Sequence, residues 1–506
     1  MLDKEGVNPS DESLEPMTDW MAALADHNAR LRQQHPNEEL IVVFDIDGTI
    51  LDMRHMVRHV LLAYDRAHRT RAFAGLSVDD IDVHENRVGE LLARLGLPEV
   101  AQQHVLGWYL DRRWSPEAVR AAHRPFRGVL DVIRWFQMQP NTRVALNSGR
   151  PESLREETLR CLNELGADSR VRFESELLML DAQPLRKDPG RAKLEGLRTL
   201  RARGARVLAV IDNEPEVLES LRDADDTGDM LFLHAHTLFE SRHSSASSVS
   251  GERYDLLSLA DRRPLPGHLS LVWEGLESRD TLQAFLEAPV RWGAAPLRLD
   301  PSGRLVVRAD DYDTRAWSRS ERALEPRELV AELADAGKCL RVELTEGGEL
   351  VDRALDLLER SGLPAERLAF HASIEQLGPA GFRHLRWAFP ESTLQMPADF
   401  LAPLALSVPE RARDLLDMFA SWGVSRYQLD WATAQLPALI GFFEADTREV
   451  DLRGVPDLES FLRAALLQPH SLTADFRFPQ WCEGELLRAD ERLLQLRELV
   501  PACASA

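Results

Sequence analysis

Cysteine is scarce in this chain, with four in 506 residues (Cys161, Cys339, Cys482 and Cys503). None stands at the spacing of a zinc-ligand set or a redox pair. That excludes a disulfide scaffold and argues against a structural zinc site. Long apolar runs are lacking too. No stretch of about 18 apolar residues occurs, so no membrane-spanning helix is expected. Basic charge is in deficit: 61 lysines and arginines face 83 acids, for a formal net charge of −22. So acidic a surface disfavours nucleic acid and anionic lipid, without excluding a local patch that compensates. The opening residues, MLDKEGVNPSDESLEP, are acidic and polar, unlike a signal peptide. Together with the cysteine usage they suit a reducing cytoplasm. No kinase-type phosphate loop, GxxxxGK[ST], is present.

What is there points to folded domains. A chain that is 44% hydrophobic is not disordered throughout, and 506 residues suit two or three domains. Residues 1–39 read as a polar leader and a short helix, with Trp20, Met21, Leu24 and Leu31 on one stripe. Glu39 to Phe44 is a continuous run rich in β-branched residues, the mark of a strand buried on both faces of a parallel sheet. Arg143 to Asn147, Val207 to Ile211 and Met230 to Leu233 repeat that mark. Helical patterns at Glu152 to Leu165 and Gly190 to Arg203 lie between them. The alternation predicts an open, doubly wound α/β sheet. Residues 53–125 interrupt it with helical patterning alone (Met56 to His68, Ile81 to Leu95, Val105 to Trp114), and form a candidate cap. Residues 241–262 open on the serine-rich SRHSSASSVS, which reads as a linker. Beyond it, residues 263–506 alternate again. Candidate strands there are Leu269 to Trp273, Leu297 to Leu299, Leu305 to Arg308, Cys339 to Leu344 and Leu368 to Phe370. Arg426 to Leu429, Leu439 to Phe443 and Leu472 to Phe476 complete the set. About eight strands over some 240 residues suit a closed (β/α) barrel.

The densest chemistry follows the first buried strand, at Phe44-Asp45-Ile46-Asp47-Gly48-Thr49-Ile50-Leu51-Asp52. Carboxylates at i and i+2 leave a strand end in the same direction, and Gly48 permits a turn that a side chain would obstruct. Charge so dense at the end of an apolar strand costs several kcal/mol unless a cation or hydrogen bonds compensate. A bare DxD is usually a solvated Asx turn, but the full DxDGT after a buried strand is far more specific. Asn147-Ser148-Gly149-Arg150 ends the second strand, and Ile211-Asp212-Asn213-Glu214-Pro215-Glu216 ends another. In doubly wound sheets ligands bind beyond these carboxyl ends.

Residues 40–240 resemble the haloacid dehalogenase (HAD) superfamily in its phosphatase form, through DxDGT, Asn147-Ser148, Lys193 and the acidic motif at Asp212, in that order. The resemblance implies an Mg²⁺-dependent hydrolase of phosphomonoesters. Asp45 would be the nucleophile that forms an aspartyl-phosphate, and Asp47 the general acid and base. Ser148 and Lys193 would bind the phosphoryl oxygens. Asp45, Asp212 and the Asp47 backbone carbonyl would hold the metal, with Glu216 orienting a metal-bound water. Glu216 has an alternative as a first-turn helix glutamate. Gly48, Thr49, Asn147, Gly149 and Arg150 complete the expected phosphate pocket, Arg150 either touching substrate or pairing with Glu152. Lys187 rivals Lys193 for the lysine role; Lys193 is preferred for its helix-start position and its spacing to Asp212. The run RKDPGRAK also resembles the polynucleotide 3′-phosphatase branch, which would make an oligonucleotide the substrate.

The candidate cap, counted over residues 53–127, carries twelve arginines and no lysine against nine acids, a net of +3 in a chain of −22. Arg54, Arg58, Arg66, Arg69 and Arg71 cluster with His55, His59 and His68. Such a face is usually only solvated; otherwise it lends positive potential to an anionic substrate. Trp108, Tyr109 and Trp114 would stack a ring or build the cap's own core.

Residues 268–480 resemble a degenerate glycerophosphodiester phosphodiesterase barrel, nearest its menorin-like branch. The carriers are Leu271-Val272-Trp273-Glu274, Asp280-Thr281-Leu282-Gln283-Ala284-Phe285, Leu297-Arg298-Leu299-Asp300 and Gly303 to Asp310. Gly378-Pro379 and Phe389 to Leu394 add to them. Where that family carries a histidine after the first strand, this chain has Trp273-Glu274, and its next histidine position reads Arg308-Ala309-Asp310. Of the second strand's expected acids only Asp300 remains, near an apolar stretch, and Glu343 is the one acid that still fits a barrel-strand end. Without a histidine pair the diesterase chemistry lacks its acid and base, so the barrel is expected to bind a protein or ligand partner, with His371 and Trp431 at its mouth or in its core. The expected activity is phosphate release from a small molecule. The alternatives are a regulatory scaffold with a barrel recognition module, a polynucleotide 3′-phosphatase-like enzyme, and a two-step diesterase and phosphatase.

Overall fold

The computed structural model describes residues 19–182, 189–237, 249–260, 269–288, 290–317 and 324–476. Lys187, Cys482, Cys503, the polar leader and most of the serine-rich linker lie outside them. The chain divides into two compact units, Met1–Gly166 with Val171–Ala260, and Ala167–Arg170 with Asp261–Ala506.

The first unit runs α1 (Trp20–Gln34), β1 (Leu40–Phe44), α2 (Arg54–His68), α3 (Val88–Arg94), α4 (Glu99–Arg112), α5 (Pro116–Ala122), α6 (Val129–Met138) and β2 (Thr142–Pro151). It continues with α7 (Arg155–Gly166), β3 (Leu178–Asp181), α8 (Pro189–Ala202), β4 (Arg206–Asp212), α9 (Pro215–Asp223), β5 (Leu231–Ala235), β6 (Val249–Gly251) and α10 (Leu256–Ala260). The strands form one parallel sheet in the order β3-β2-β1-β4-β5-β6. All five residues of β1 are buried, as its unbroken β-branched run requires for a strand covered on both faces. Ile41, Val43, Val207 and Val210 meet Leu197 and Leu200 of α8 and Leu218 of α9 in one apolar cluster. The chain leaves β1 toward β2 and β3, then returns to β4 on the other side. The strand order therefore reverses between β1 and β4, where an open α/β sheet forms its ligand crevice.

Helices α2 to α5 lie between β1 and β2 in the chain and form the helical insertion. Its two ends are tied together. Asp52 N–H donates to Arg124 O at 2.8 Å and Phe126 N–H to Ile50 O at 2.9 Å, so the insertion joins the sheet through one paired hinge. Helix α3 starts at Val88, not Ile81.

The second unit runs β7 (Ser270–Trp273), α11 (Arg279–Glu287), β8 (Trp292–Leu299), β9 (Leu305–Val307), α12 (Pro326–Asp335), β10 (Cys339–Leu344), α13 (Glu349–Glu359), β11 (Leu368–His371) and α14 (Ile374–Ala388). It ends with β12 (Thr393–Pro397), α15 (Ala402–Ser407), α16 (Pro409–Ser421), β13 (Arg426–Asp430), α17 (Leu436–Ala445), β14 (Glu449–Arg453), α18 (Leu458–Leu466) and β15 (Ser471–Ala474). Strand β15 pairs parallel with β7 and β10 with β8, which closes an eight-stranded parallel barrel. Two expected strands differ. Leu305 to Val307 is no stave; it folds back antiparallel on β8. Leu439 to Phe443 lies inside helix α17, which Pro437 opens in its first turn. Among the described residues no helix is long and apolar enough to cross a membrane.

Candidate active site

The site is assembled where the strand order reverses. Phe44 stands opposite Ile211 in the parallel ladder, so the next residues, Asp45 and Asp212, leave the ends of neighbouring strands side by side. Asp45 N–H still donates to Ile211 O at 2.9 Å. From α8, Lys193 reaches both: its Nζ lies 2.8 Å from Asp45 Oδ1 and 2.6 Å from Asp212 Oδ2. All three side chains are buried. Burial pushes the Asp45 and Asp212 carboxyls upward, and the Lys193 charge pulls them back. Burial alone would lower the Lys193 ammonium, but Asp212 and Asp45 outweigh it and hold the lysine charged.

The surrounding turns are fixed by close approach. Gly48 has φ +85°, and a Cβ there would fall 2.3 Å from Asn213 Nδ2. Thr49 is buried; its hydroxyl donates to Asn213 Oδ1 at 3.4 Å and its carbonyl accepts from Tyr254 OH at 2.8 Å. Asn147 Nδ2 donates to Lys193 O at 2.8 Å, tying β2 to α8. Ser148 is buried at the end of β2, its Oγ accepting from Arg150 N–H at 3.3 Å. Gly149 is exposed.

Arg150 and Glu216 each have two readings, and the structure bears on one of each. Arg150 does not pair with Glu152, which binds Arg155. Its Nε donates to Asp47 Oδ2 at 2.8 Å and its Nη2 to Asp47 Oδ1 at 2.6 Å. Burial would raise the Asp47 carboxyl; the Arg150 charge and its two hydrogen bonds outweigh that and hold it below the usual range. Glu216 stands exposed on the first turn of α9. A first-turn glutamate is favoured there by the helix dipole, which is the alternative reading of this residue. The side chain of Asp47 is turned to Arg150; the metal contact expected of Asp47 is through its backbone carbonyl.

Several neighbours had no signal in the sequence. From the helical insertion, His84 Nε2 lies 2.8 Å from Glu214 Oε1 and 3.3 Å from Glu85 Oε2. Glu85 is buried, which pushes its carboxyl up to about 7. Burial would lower His84, but Glu214 and Glu85 raise it. Trp114 lies over the Arg150 guanidinium at 5.1 Å. Tyr109 is core: it is fully buried and its hydroxyl donates to Glu85 O at 2.8 Å. Trp108 packs edge-on to Tyr64 under the Arg112 guanidinium, 3.5 Å from its ring centre.

Asp45 and Asp212 present carboxyl oxygens side by side at the strand ends and share one ammonium. Their oxygen donors suit Mg²⁺, which takes one or two carboxylates together with phosphate and water. Asp45 and Asp212 therefore fit the metal that the sequence implies.

The barrel's interior is polar. Arg341 Nη1 donates to Thr473 Oγ1 at 2.7 Å and lies 3.4 Å from Asp451 Oδ2, while its Nη2 donates to Glu343 Oε1 at 3.0 Å. Gln395, Gln428 and Ser471 also donate to the fully buried Asp451. Burial raises Glu274, and Glu343 adds to it. Burial, then the Arg341 charge, holds His371 down at about 4. Asp300 Oδ1 caps a turn, accepting from Ser302 N–H at 2.8 Å and Arg304 N–H at 2.9 Å.

The fold and site thus define an α/β protein with a doubly wound sheet, a helical insertion and a closed parallel barrel. No family model and no curated protein matches the chain, but solved structures do. An Oleispira antarctica phosphodiesterase, solved with its product sn-glycerol-3-phosphate, is 14% identical; the match covers 45% of this chain and 97% of that one, with a TM-score of 0.33. A HAD-superfamily hydrolase of subfamily IA from Geobacter sulfurreducens is 12% identical over 42% of this chain and 92% of that one, with a TM-score of 0.27. CbbY from Rhodobacter sphaeroides, solved with xylulose-(1,5)-bisphosphate, is 13% identical over 44% and 96%, with a TM-score of 0.29.

Proposed function

We propose that the first unit is a phosphohydrolase that acts through an aspartyl-phosphate on Asp45, and that the barrel selects its substrate or a partner. The observation that carries this is the trio at the strand reversal, two buried carboxylates on adjoining strand ends bridged by Lys193. Asp45 attacks phosphorus and the leaving group departs. Lys193 is charged and offsets the negative charge that grows on the phosphoryl oxygens, which Ser148 also binds. Asp47 handles the protons of the reaction. Asp45 and Asp212 would hold Mg²⁺, which when bound supplies charge that draws in and orients the phosphate. The catalytic part is assigned to residues 40–240, with residues 263–506 as the barrel.

The test is phosphate release from a panel of sugar phosphates, nucleotides, acyl phosphates and 3′-phosphorylated oligonucleotides, with Mg²⁺ or EDTA, for wild type and Asp45→Asn. Mg²⁺-dependent release that the substitution abolishes is the expected outcome. A folded wild type that releases phosphate from none of them would sink the proposal.

A further inference from the structure

The loop before α3 carries a buried acid to which the reaction above gives no task. Glu85 is 6% exposed, and its Oε2 has no hydrogen-bond partner among the described residues. Its neighbour His84 does not supply one. His84 Nε2 lies 3.3 Å from that oxygen, but a ring nitrogen carries a single proton, and its closer approach is to Glu214 Oε1 at 2.8 Å. The other oxygen, Oε1, accepts from Asn86 Nδ2 at 3.5 Å. A buried carboxyl with an unmatched oxygen costs the fold stability, and such groups are rare enough to need a reason. The position is nonetheless fixed. Tyr109 OH donates to Glu85 O at 2.8 Å, and Arg87 N–H to His84 O at 2.7 Å. It also lies beside the reacting groups. Burial pushes Glu85 up to about 7 against the pull of His84, and the Asp47 and Glu214 charges add to the push. Against burial, Glu214, Glu85 and Asp45 raise His84. Asp45, Asp47 and Glu214 stand just past the ends of β1 and β4, so the loop reaches over the crevice at the strand reversal.

We infer that Glu85 is a specificity-determining residue whose unmatched oxygen takes a hydrogen bond from the leaving group, so that the enzyme prefers phosphomonoesters whose alcohol carries a second donor, a hydroxyl or an ammonium. The inference rests on Asp45 being the nucleophile. With the phosphoryl group held at Asp45, Lys193 and Ser148, the leaving group is the part of the substrate left for the insertion to meet. An ionised carboxylate only accepts hydrogen bonds, so the group that satisfies it is a donor. A second phosphate or a carboxylate on the leaving group would meet it with like charge. The insertion joins the sheet through the paired hinge of Asp52 with Arg124 and Ile50 with Phe126. A substrate enters as the loop lifts from Glu214, and the return of the loop buries the new hydrogen bond, which is stronger there than in water. A site built in this way rejects an analogue that lacks the donor, because the buried oxygen is then left unpaired.

The experiment measures phosphate release by the full-length protein with Mg²⁺ at pH 8, from ethyl, 2-hydroxyethyl and 2-aminoethyl phosphate and from propyl, 3-hydroxypropyl and 3-aminopropyl phosphate. p-Nitrophenyl phosphate reports activity that needs no second donor, and Asp45→Asn sets the background. Wild-type kcat/KM for a donor-bearing compound is expected to exceed that of its alkyl partner by about tenfold to a hundredfold, the worth of a hydrogen bond to a charged group. Glu85→Leu has no acceptor and should lose that preference, which separates it from any intrinsic difference between the leaving groups. Glu85→Gln keeps an oxygen without its charge and should reduce the preference severalfold. A wild type that turns over p-nitrophenyl phosphate but prefers no donor-bearing compound overturns the inference and leaves the phosphohydrolase standing. A preference undiminished in either variant overturns the role of Glu85. Absence of Asp45-dependent release from every compound overturns both. Should Glu85→Leu fail to fold, Glu85→Gln decides.

Discussion

At the residue scale, the environment of Glu85 makes a prediction about pH. Its carboxyl is 6% exposed, and burial pushes it up to about 7 from an ordinary 4.5. A raised carboxyl binds its proton more tightly in the folded state than in the unfolded one. Between pH 4.5 and 7 the folded protein therefore holds more protons, and its stability falls as pH rises through that window. The shift corresponds to about 3 kcal/mol. Glu85→Gln keeps the shape and removes the charge. Urea unfolding of the first unit should show the variant more stable than wild type at pH 8, with the gap closing toward pH 5. A gap of the same size at both values would mean that Glu85 is not the titrating group.

At the scale of elements, α9 separates two roles for a glutamate. Glu216 lies exposed in its first turn, where a negative charge gains about 0.3–1 kcal/mol from the helix dipole. Glu216→Gln should cost no more than that in urea unfolding and leave the Mg²⁺ concentration for half-maximal phosphate release unchanged. A severalfold rise in that concentration would place Glu216 in the metal set. Much else at this scale was legible in the sequence. Strands β1, β2, β4 and β5 sit in a parallel sheet covered by helices, and their apolar runs say so without any partner known. Leu439 to Phe443 was misread because a short apolar run has no period of its own; Pro437 at the start of α17 was the usable clue. Strands β12 and β14 escaped because Gln395 and Asp451 interrupt their apolar residues. Both side chains point into a polar barrel interior, where they bond each other at 2.9 Å. The same reason hides the pairing of Asp47 with Arg150. The motif places each residue at a strand end, but their contact spans 103 positions and leaves no local pattern. His84 and Glu85 are hidden likewise, since the insertion that carries them is read only as helical.

At the scale of the molecule, the chain holds two cores of opposite character. The first unit packs apolar strands against helices. The barrel instead centres on Arg341, 2% exposed, and Asp451, fully buried. Such a pair is costly to break, because removing one partner leaves the other charge buried without compensation. Arg341→Leu should therefore destabilise the barrel by about 3–5 kcal/mol. Asp451 keeps its hydrogen bonds from Gln395, Gln428 and Ser471 but loses its countercharge. The double variant Arg341→Leu with Asp451→Leu removes both charges and should recover most of that loss, since replacing a buried pair by apolar groups is often neutral. Because Asp45, Lys193 and Asp212 belong to the other core, the urea midpoint for loss of phosphate release should stay where it is in wild type. Two probes on one sample would check this, tryptophan fluorescence for unfolding and phosphate release for the site. If Arg341→Leu moved the activity midpoint along with the fluorescence change, the two cores would be one cooperative unit, and the barrel would contribute to the stability of the proposed catalytic site.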